Sequence, residues 1–318
     1  MADMDRSEMR VAVLAGGISD EREISFGSGG NVVSALKEAG YGYVEMLDPA
    51  EDDFIDQLRG GDFDVAFIAL HGHGGEDGRI QSVLEYLKVP YTGSGVISSA
   101  CAADKAVSKA LYQRNGIPVA RDFVIEPTDE VNPAQIVDEL GGECFVKPAV
   151  NGSSYGVSIV HEASELPGAL EVAFEHGDKA LVEERLVGTE ITVGVFEGED
   201  LVAFPVVEIM KQENSEFYDL DVKYIDPALV HRIPAEISPE DYEAAQRYAC
   251  AAHRALGCTG FSRNDFIVTE DRGPVILETN TIPGMTDTSL YPDEVRHAGM
   301  DFKDVCSRLI ELALESER

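Results

Sequence analysis

The sequence predicts a mixed α/β (α+β) protein: an N-terminal parallel-sheet βα domain followed by a C-terminal half rich in antiparallel strands. Three observations carry this. Residues 10–15 form a short apolar run that breaks at Gly16-Gly17 and gives way to helical periodicity, and the same strand, turn and helix order returns at residues 64–87. Residues 261–285 hold two apolar runs about Glu270-Asp271-Arg272-Gly273, the pattern of an antiparallel hairpin. With 318 residues, 44% of them apolar, the chain is long enough for two or three domains.

In the first unit, Ser19 is placed to cap a helix that carries Asp20 and Glu21 in its first turn and stops at Gly40. Glu21 has two readings. It compensates the helix dipole, or it presents a carboxylate at the C-terminal end of a strand, where α/β sheets place ligands. The second strand, 64–70, runs into His71-Gly72-His73-Gly74-Gly75-Glu76-Asp77-Gly78, and a helix follows at 80–87. The glycines imply a backbone constrained by a turn or a ligand. The two histidines lack the partners of a metal site, so His71 reads as a substrate-facing donor and His73 as exposed. A loop at 92–95 precedes one helix over 97–115. Its Gly-x-Gly is too short for a dinucleotide fingerprint.

Gly116 to Val119 marks a boundary. A strand over 122–125, a helix over 133–140 and a strand over 144–148 follow, the last ending in Lys147. The loop beyond it, with Ser153 and Ser154, fits either a Gly/Ser-rich hairpin or a phosphate cradle of backbone N–H groups beside a lysine. The strand 180–184 ends in Glu183 and Glu184 and leads through Leu186 and Glu190 to another over 191–196. Glu183 and neighbouring amides there are suited to an adenine edge, and Glu190 to ribose hydroxyls. A long polar loop between Met210 and Pro239 reads as a lid. Ser238 starts a helix that runs to Gly257, and residues 302–317 form an amphipathic terminal helix.

The hairpin carries the chemistry. With a loop of 270–273, Asp265 faces Glu278 and Arg263 faces Asn280, all four on one face. Phe266, Val268, Val275 and Leu277 then point into a core. Two carboxylates and an amide oxygen suit a hard cation such as Mg²⁺; the alternative is a polar face with an exposed charge pair.

Acidic residues number 59 and basic residues 25, a formal charge of −34, and only nine residues are lysine. That field excludes nucleic acid and acidic membranes as general partners. Salt adaptation and simple solubility explain it equally well. No apolar run is long enough to span a membrane, the acidic N-terminus is unlike a signal or transit peptide, and five scattered cysteines suit a reducing cytoplasm.

Taken together, these segments resemble the D-alanine–D-alanine ligases, members of the ATP-grasp carboxylate–amine ligases. The matching stretches run in the family's order over about residues 11 to 315: AGGISDEREISFGSG, ALHGHGGEDGRIQ, PYTGSG, DKAVSK, VKPAVNGSSYGVS, LVEERLVGTEITV, FYDLDVKY, GFSRNDF and LETNTIPGMTDTSL. The resemblance implies a two-lobed ATP-grasp fold after the first domain, with units at 1–104, 105–188 and 189–318. It implies ATP-dependent joining of two D-alanines through an acyl phosphate, for peptidoglycan synthesis, by a cytoplasmic homodimer. ATP is the co-substrate, with two Mg²⁺ ions for which Mn²⁺ substitutes.

By the same likeness, Lys105, Lys147, Ser153 and Ser154 would contact phosphates, Glu183 and the Leu186 backbone adenine, and Glu190 ribose. Asp265, Glu278 and Asn280 would hold the two metal ions. Glu21 would take the first D-alanine's ammonium with His71 nearby, and Ser289 and Leu290 the second one's carboxylate. Lys223 and Tyr224 would come from the lid, Lys223 to the γ-phosphate and Tyr224 into a triad with Ser153 and Glu21. Arg263 and the Gly284 N–H would stabilise the tetrahedral oxyanion. Thr279 and Ile282 depart from the family pattern, as does Glu184, which stands where a lysine is expected beside adenine. The alternatives are D-lactate or D-serine as acceptor, or a nucleotide-binding regulator without catalysis.

Overall fold

The computed structural model describes residues 5–150, 156–210 and 231–316; Ser153, Ser154, Lys223 and Tyr224 lie outside them. Three sheets follow one another along the chain. In the first, β1 (Arg10–Leu14) is central and parallel to both β2 (Tyr43–Leu47) and β3 (Val65–Ile68). The apolar stretches of β1 and β3 are buried, as the continuous runs of a covered parallel sheet require. Five helices join or follow these strands: α1 (Arg22–Glu38), α2 (Phe54–Gly60), α3 (Arg79–Leu87), α4 (Val96–Ala103) and α5 (Lys105–Arg114). Helix α1 approaches β1 so closely that a Cβ on Gly29 would lie 2.5 Å from that of Ala15.

Two expectations need correction here. Ser19 does not cap α1, which begins at Arg22. Its hydroxyl instead donates to the His71 carbonyl at 2.7 Å and accepts the Glu21 N–H, tying together the loops after β1 and β3. The span 97–115 is two helices, not one. Asp104 is extended between them, and its carboxylate accepts the N–H groups of Ala106 and Val107 at 2.9 and 3.1 Å, capping α5.

The second sheet is antiparallel, in the order β4-β7-β5-β6: β4 (Asp122–Ile125), β5 (Cys144–Pro148), β6 (Ser158–Val160) and β7 (Ala180–Glu184). Helices α6 (Pro133–Glu139) and α7 (Leu166–Phe174) close a separate core over it.

The third sheet contains β8 (Gly188–Glu197), β9 (Leu201–Ala203), β10 (Val207–Ile209), β11 (His231–Arg232), β12 (Phe261–Thr269) and β13 (Gly273–Asn280). Strand β12 lies between β8 and β13, antiparallel to both. Helix α8 (Pro239–Leu256) starts where expected, with Ser238 accepting the Asp241 N–H, and covers the sheet's apolar face. Helices α9 (Leu290–His297) and α10 (Phe302–Glu315) return the chain to the first domain, where Val305, Leu309 and Ile310 share a core with β1 and α1.

The hairpin has the expected pairs, Asp265 with Glu278 and Arg263 with Asn280, but by a different route. Thr269 pairs with Gly273, so the loop is one residue shorter than expected, and the register shifts between Asp265 and Phe266. Leu277 is the extra residue of a β-bulge. Loop and bulge cancel at the polar end. On the apolar side, Phe266 pairs with Ile276, and these two enter the core; Leu277 does not, and Val275 lies opposite Ile267 on the other face. Among the described residues no helix is long and apolar enough to cross a membrane.

Candidate active site

Strand alternation places Arg263, Asp265, Glu278 and Asn280 side by side. Arg263 grips Asp265 with two bonds, Nε to Oδ1 at 3.0 Å and the second terminal nitrogen to Oδ2 at 2.8 Å. Thr192 on β8 donates to Oδ1 at 2.5 Å and the Asn280 amide to Oδ2 at 3.2 Å. Glu278 Oε2 pairs with Lys105 Nζ at 2.7 Å. The cap at Asp104 puts Lys105 on the first turn of α5, and Tyr112 further along α5 donates to Thr279 Oγ1 at 2.7 Å. Helix and hairpin are thereby fixed to each other, and Thr279 has a structural use. The charge of Lys105 lowers the Glu278 carboxyl against the opposing effect of burial, and Lys147 and Arg263 add to the lowering.

A second cluster lies in the central sheet. Glu183 is buried and pairs with Lys147 and, at 2.5 Å, with Lys109; Lys109 also meets Asp122 at 2.9 Å. Burial raises the Glu183 carboxyl, but the two ammonium groups overcome it and hold the group at about 2. Lys109 was not foreseen, though it stands one helical turn from Lys105 on the same helix. Glu184, its side chain on the opposite face of β7, is paired with Arg121 at 2.8 Å and Arg272 at 2.7 Å. Its negative charge is therefore cancelled away from Glu183. Glu190 lies opposite Ile267 in register, on the same face of the sheet as Asp265, and Leu186 is half-buried in the connection between β7 and β8.

A cleft of about 530 Å³ gathers Glu21, His71, Lys105, Arg263, Glu278 and Asn280 with Gly284, Ser289 and Leu290. Lys147, Glu183 and Asp265 do not line it; each is paired to a cation or carboxylate. His71 is held from within. Ser28 accepts the Met285 N–H at 3.1 Å and is hydrogen-bonded to His71 Nε2 at 2.9 Å, and Nδ1 faces Glu76 at 3.4 Å. Both ring nitrogens thus point at protein groups, and the reading of His71 as a substrate donor is not supported by this arrangement. Ser28 was missed; its signal was a small polar residue on the buried side of α1. Ser289 accepts the Thr286 N–H and precedes α9 without capping it, which leaves the helix N-terminus facing the cleft without a side-chain cap. A Cβ on Gly284 would meet Ser289 Oγ at 2.9 Å, so glycine preserves that turn. His231, also unforeseen, lines the same end.

Among the described residues no three or more His, Cys, Asp or Glu side chains converge as a metal-holding group. The donors available for a divalent ion are two carboxylates and one amide oxygen. That set fits Mg²⁺, which takes few protein ligands and completes its shell with water and phosphate oxygens.

A parallel-sheet domain followed by two antiparallel sheets, the last bringing Glu278 to Lys105, is the architecture shared with structural neighbours of ATP-grasp fold. The family model for the D-ala D-ala ligase C-terminus matches residues 111–311, and that for the N-terminus matches residues 47–94. The chain is 41% identical over 314 residues to a D-alanine–D-alanine ligase of Pelotomaculum thermopropionicum, covering 97% of this chain and 98% of the relative. It is 44% identical over 312 residues to one of Syntrophobacter fumaroxidans, covering 98% and 100%. A solved structure of the Bacillus anthracis D-alanine–D-alanine ligase complexed with ATP superposes with a TM-score of 0.81 at 30% identity, covering 96% of this chain and 97% of that one. The Coxiella burnetii ligase gives 0.80 at 28%, covering 97% and 96%. The chain belongs to the D-alanine–D-alanine ligase family.

Proposed function

We propose that this protein joins two D-alanines into D-alanyl-D-alanine for peptidoglycan synthesis, converting ATP to ADP and phosphate. The observation that carries the reading is the meeting in one cleft of the Lys105–Glu278 pair, Arg263 and the turn from Gly284 to Leu290. It works as a homodimer in the cytoplasm, the latter in keeping with five free cysteines. The labour divides among units 1–104, 105–188 and 189–318.

The difficulty of the reaction is electrostatic: a carboxylate must approach a polyphosphate. Lys105 and Lys147 neutralise the phosphates, leaving their carboxylate partners as nucleotide enters. Glu183 and the Leu186 backbone meet adenine, and Glu190 the ribose. Asp265, Glu278 and Asn280 would hold Mg²⁺, which when bound would supply charge neutralisation at the transferring phosphoryl group. Glu21 fixes the ammonium of the first D-alanine, and the carboxylate of that D-alanine takes the phosphoryl group to give the acyl phosphate. Ser289 and Leu290 hold the second D-alanine by its carboxylate, beside the uncapped start of α9. When its amine attacks, Arg263 and the Gly284 N–H meet the developing oxyanion, each contributing about 3 kcal/mol in comparable sites.

The test is phosphate release from ATP with D-alanine, and product analysis with D-alanine, D-lactate and D-serine as acceptors. Release that depends on D-alanine, with the dipeptide as product, is expected. ATP turnover without D-alanine, or no turnover, contradicts the reading.

A further inference from the structure

A histidine–aspartate pair at the acceptor end of the cleft is used by none of these roles. His231 lines the cleft with Gly284, Ser289 and Leu290. Its Nδ1 lies 2.8 Å from Asp293 Oδ2, and both side chains are largely buried. Asp293 stands one turn beyond Ser289 on α9 and also pairs with Arg296. Burial raises the Asp293 carboxyl, but His231 and Arg296 more than offset this and keep it below the usual range. A carboxylate only accepts hydrogen bonds, so Nδ1 carries a proton, and in the neutral ring Nε2 is then the acceptor. Nε2 has no hydrogen-bond partner among the described residues.

The surroundings single this ring out. Lys105 and Arg263 are cations, Glu278 and Asp265 are paired to them, and both nitrogens of His71 face protein groups. Arg232, next along β11, pairs with Glu208 on the other side of the sheet, and Glu294, next to Asp293, accepts the Gly194 N–H. Glu21, Lys105, Arg263 and Glu278 are the charged groups sharing the cleft with His231 that the reaction uses.

An acceptor amino acid arrives as an ammonium ion, which has no lone pair for attack. We propose that His231 Nε2, oriented by Asp293, takes a proton from the ammonium group of the acceptor D-alanine. The inference rests on the ligase reading above. One N–H bond of the acceptor breaks as the Nε2–H bond forms, and Asp293 stabilises the imidazolium. The freed lone pair forms the N–C bond to the acyl phosphate carbonyl. As the C–O bond to phosphate breaks, the departing phosphate takes the second nitrogen proton. The imidazolium returns its proton to solvent before the next turnover.

Hydroxylamine provides the test, because it is unprotonated at neutral pH and traps an acyl phosphate without a base. In His231→Gln at pH 7, dipeptide formation should fall about a hundredfold while D-alanine hydroxamate formation stays within twofold of wild type. The dipeptide deficit should shrink as pH rises to 9 and more of the acceptor amine is free. Asp293→Asn should show the same split, at a smaller loss. Equal loss of dipeptide and hydroxamate at every pH in both variants, or unchanged dipeptide formation in His231→Gln, overturns the proposal. Absence of hydroxamate with the wild-type protein would instead sink the ligase reading itself.

Discussion

Lys105 Nζ lies 2.7 Å from Glu278 Oε2, so the proposed phosphate lysine rests on the proposed metal ligand. The pair keeps two half-buried charges satisfied without nucleotide and must exchange partners when ATP enters. Lys105→Met should therefore weaken ATP more than it weakens the fold. The expected change is a rise in KM for ATP of about tenfold to a hundredfold, the equivalent of ~1.5–3 kcal/mol for a hydrogen bond to a charged group. Steady-state kinetics with varied ATP reads it; an unchanged KM removes Lys105 from the nucleotide site.

The Glu183 cluster makes a prediction about acid. Its carboxyl is held at about 2, below its ordinary 4.5, by Lys147 and Lys109. A lowered carboxyl adds stability above its unfolded value, and that stability is lost as pH falls from about 4.5 towards 2. Glu183→Gln should melt below wild type at pH 7, with the gap closing over that window. Thermal unfolding at several pH values checks this; a gap independent of pH contradicts it.

Glu294 runs the other way. It is fully buried beneath Gly194, whose N–H donates to Oε1 at 2.5 Å, while Oε2 has no partner. Burial pushes its carboxyl up to about 8. A raised carboxyl stabilises the fold below its unfolded value near 4.5, and that contribution is lost as pH rises towards 8. Glu294→Gln keeps the acceptor for Gly194 and removes the charge, so its melting temperature should exceed wild type at pH 8 and match it near pH 5. No gain at pH 8 would contradict this.

Glu184 departs from the lysine expected of the family, and the structure supplies the compensation: Arg121 and Arg272 both pair with it. Installing the family's residue alone should fail. Glu184→Lys gathers three cations around a buried position and should cost about 2 kcal/mol or more, tempered by the exposure of the two arginines. Denaturant unfolding measures it; a neutral outcome would show that the pairs contribute nothing.

What the sequence made legible was periodic or chemically marked. The parallel strands, Ser238 at the start of α8 and the polar face of the hairpin stand where expected. The hairpin also shows why success can be partial. A loop one residue too long and an unseen bulge at Leu277 offset each other at Glu278 but not at the core, where Ile276 stands instead. The break at Asp104 was hidden because apolar spacing continued across it, although an aspartate inside a helical pattern is itself a cap signal. Strands β2, β9 and β10, helices α2, α7 and α9, and β11 within the stretch expected to be lid loop passed unread; β2 is largely exposed and lacks the buried run that marked β1. Lys109, Ser28, His231 and Glu294 act through partners distant in sequence, which spacing along one element does not reveal.

The most direct test of the central claim is D-alanine-dependent phosphate release by Glu278→Gln. The carboxylate that meets Lys105 beside Arg263 is the one group that both phosphate and metal require in this account. Release should fall at least a hundredfold, with the circular dichroism spectrum of wild type retained. Turnover near the wild-type rate would contradict the account.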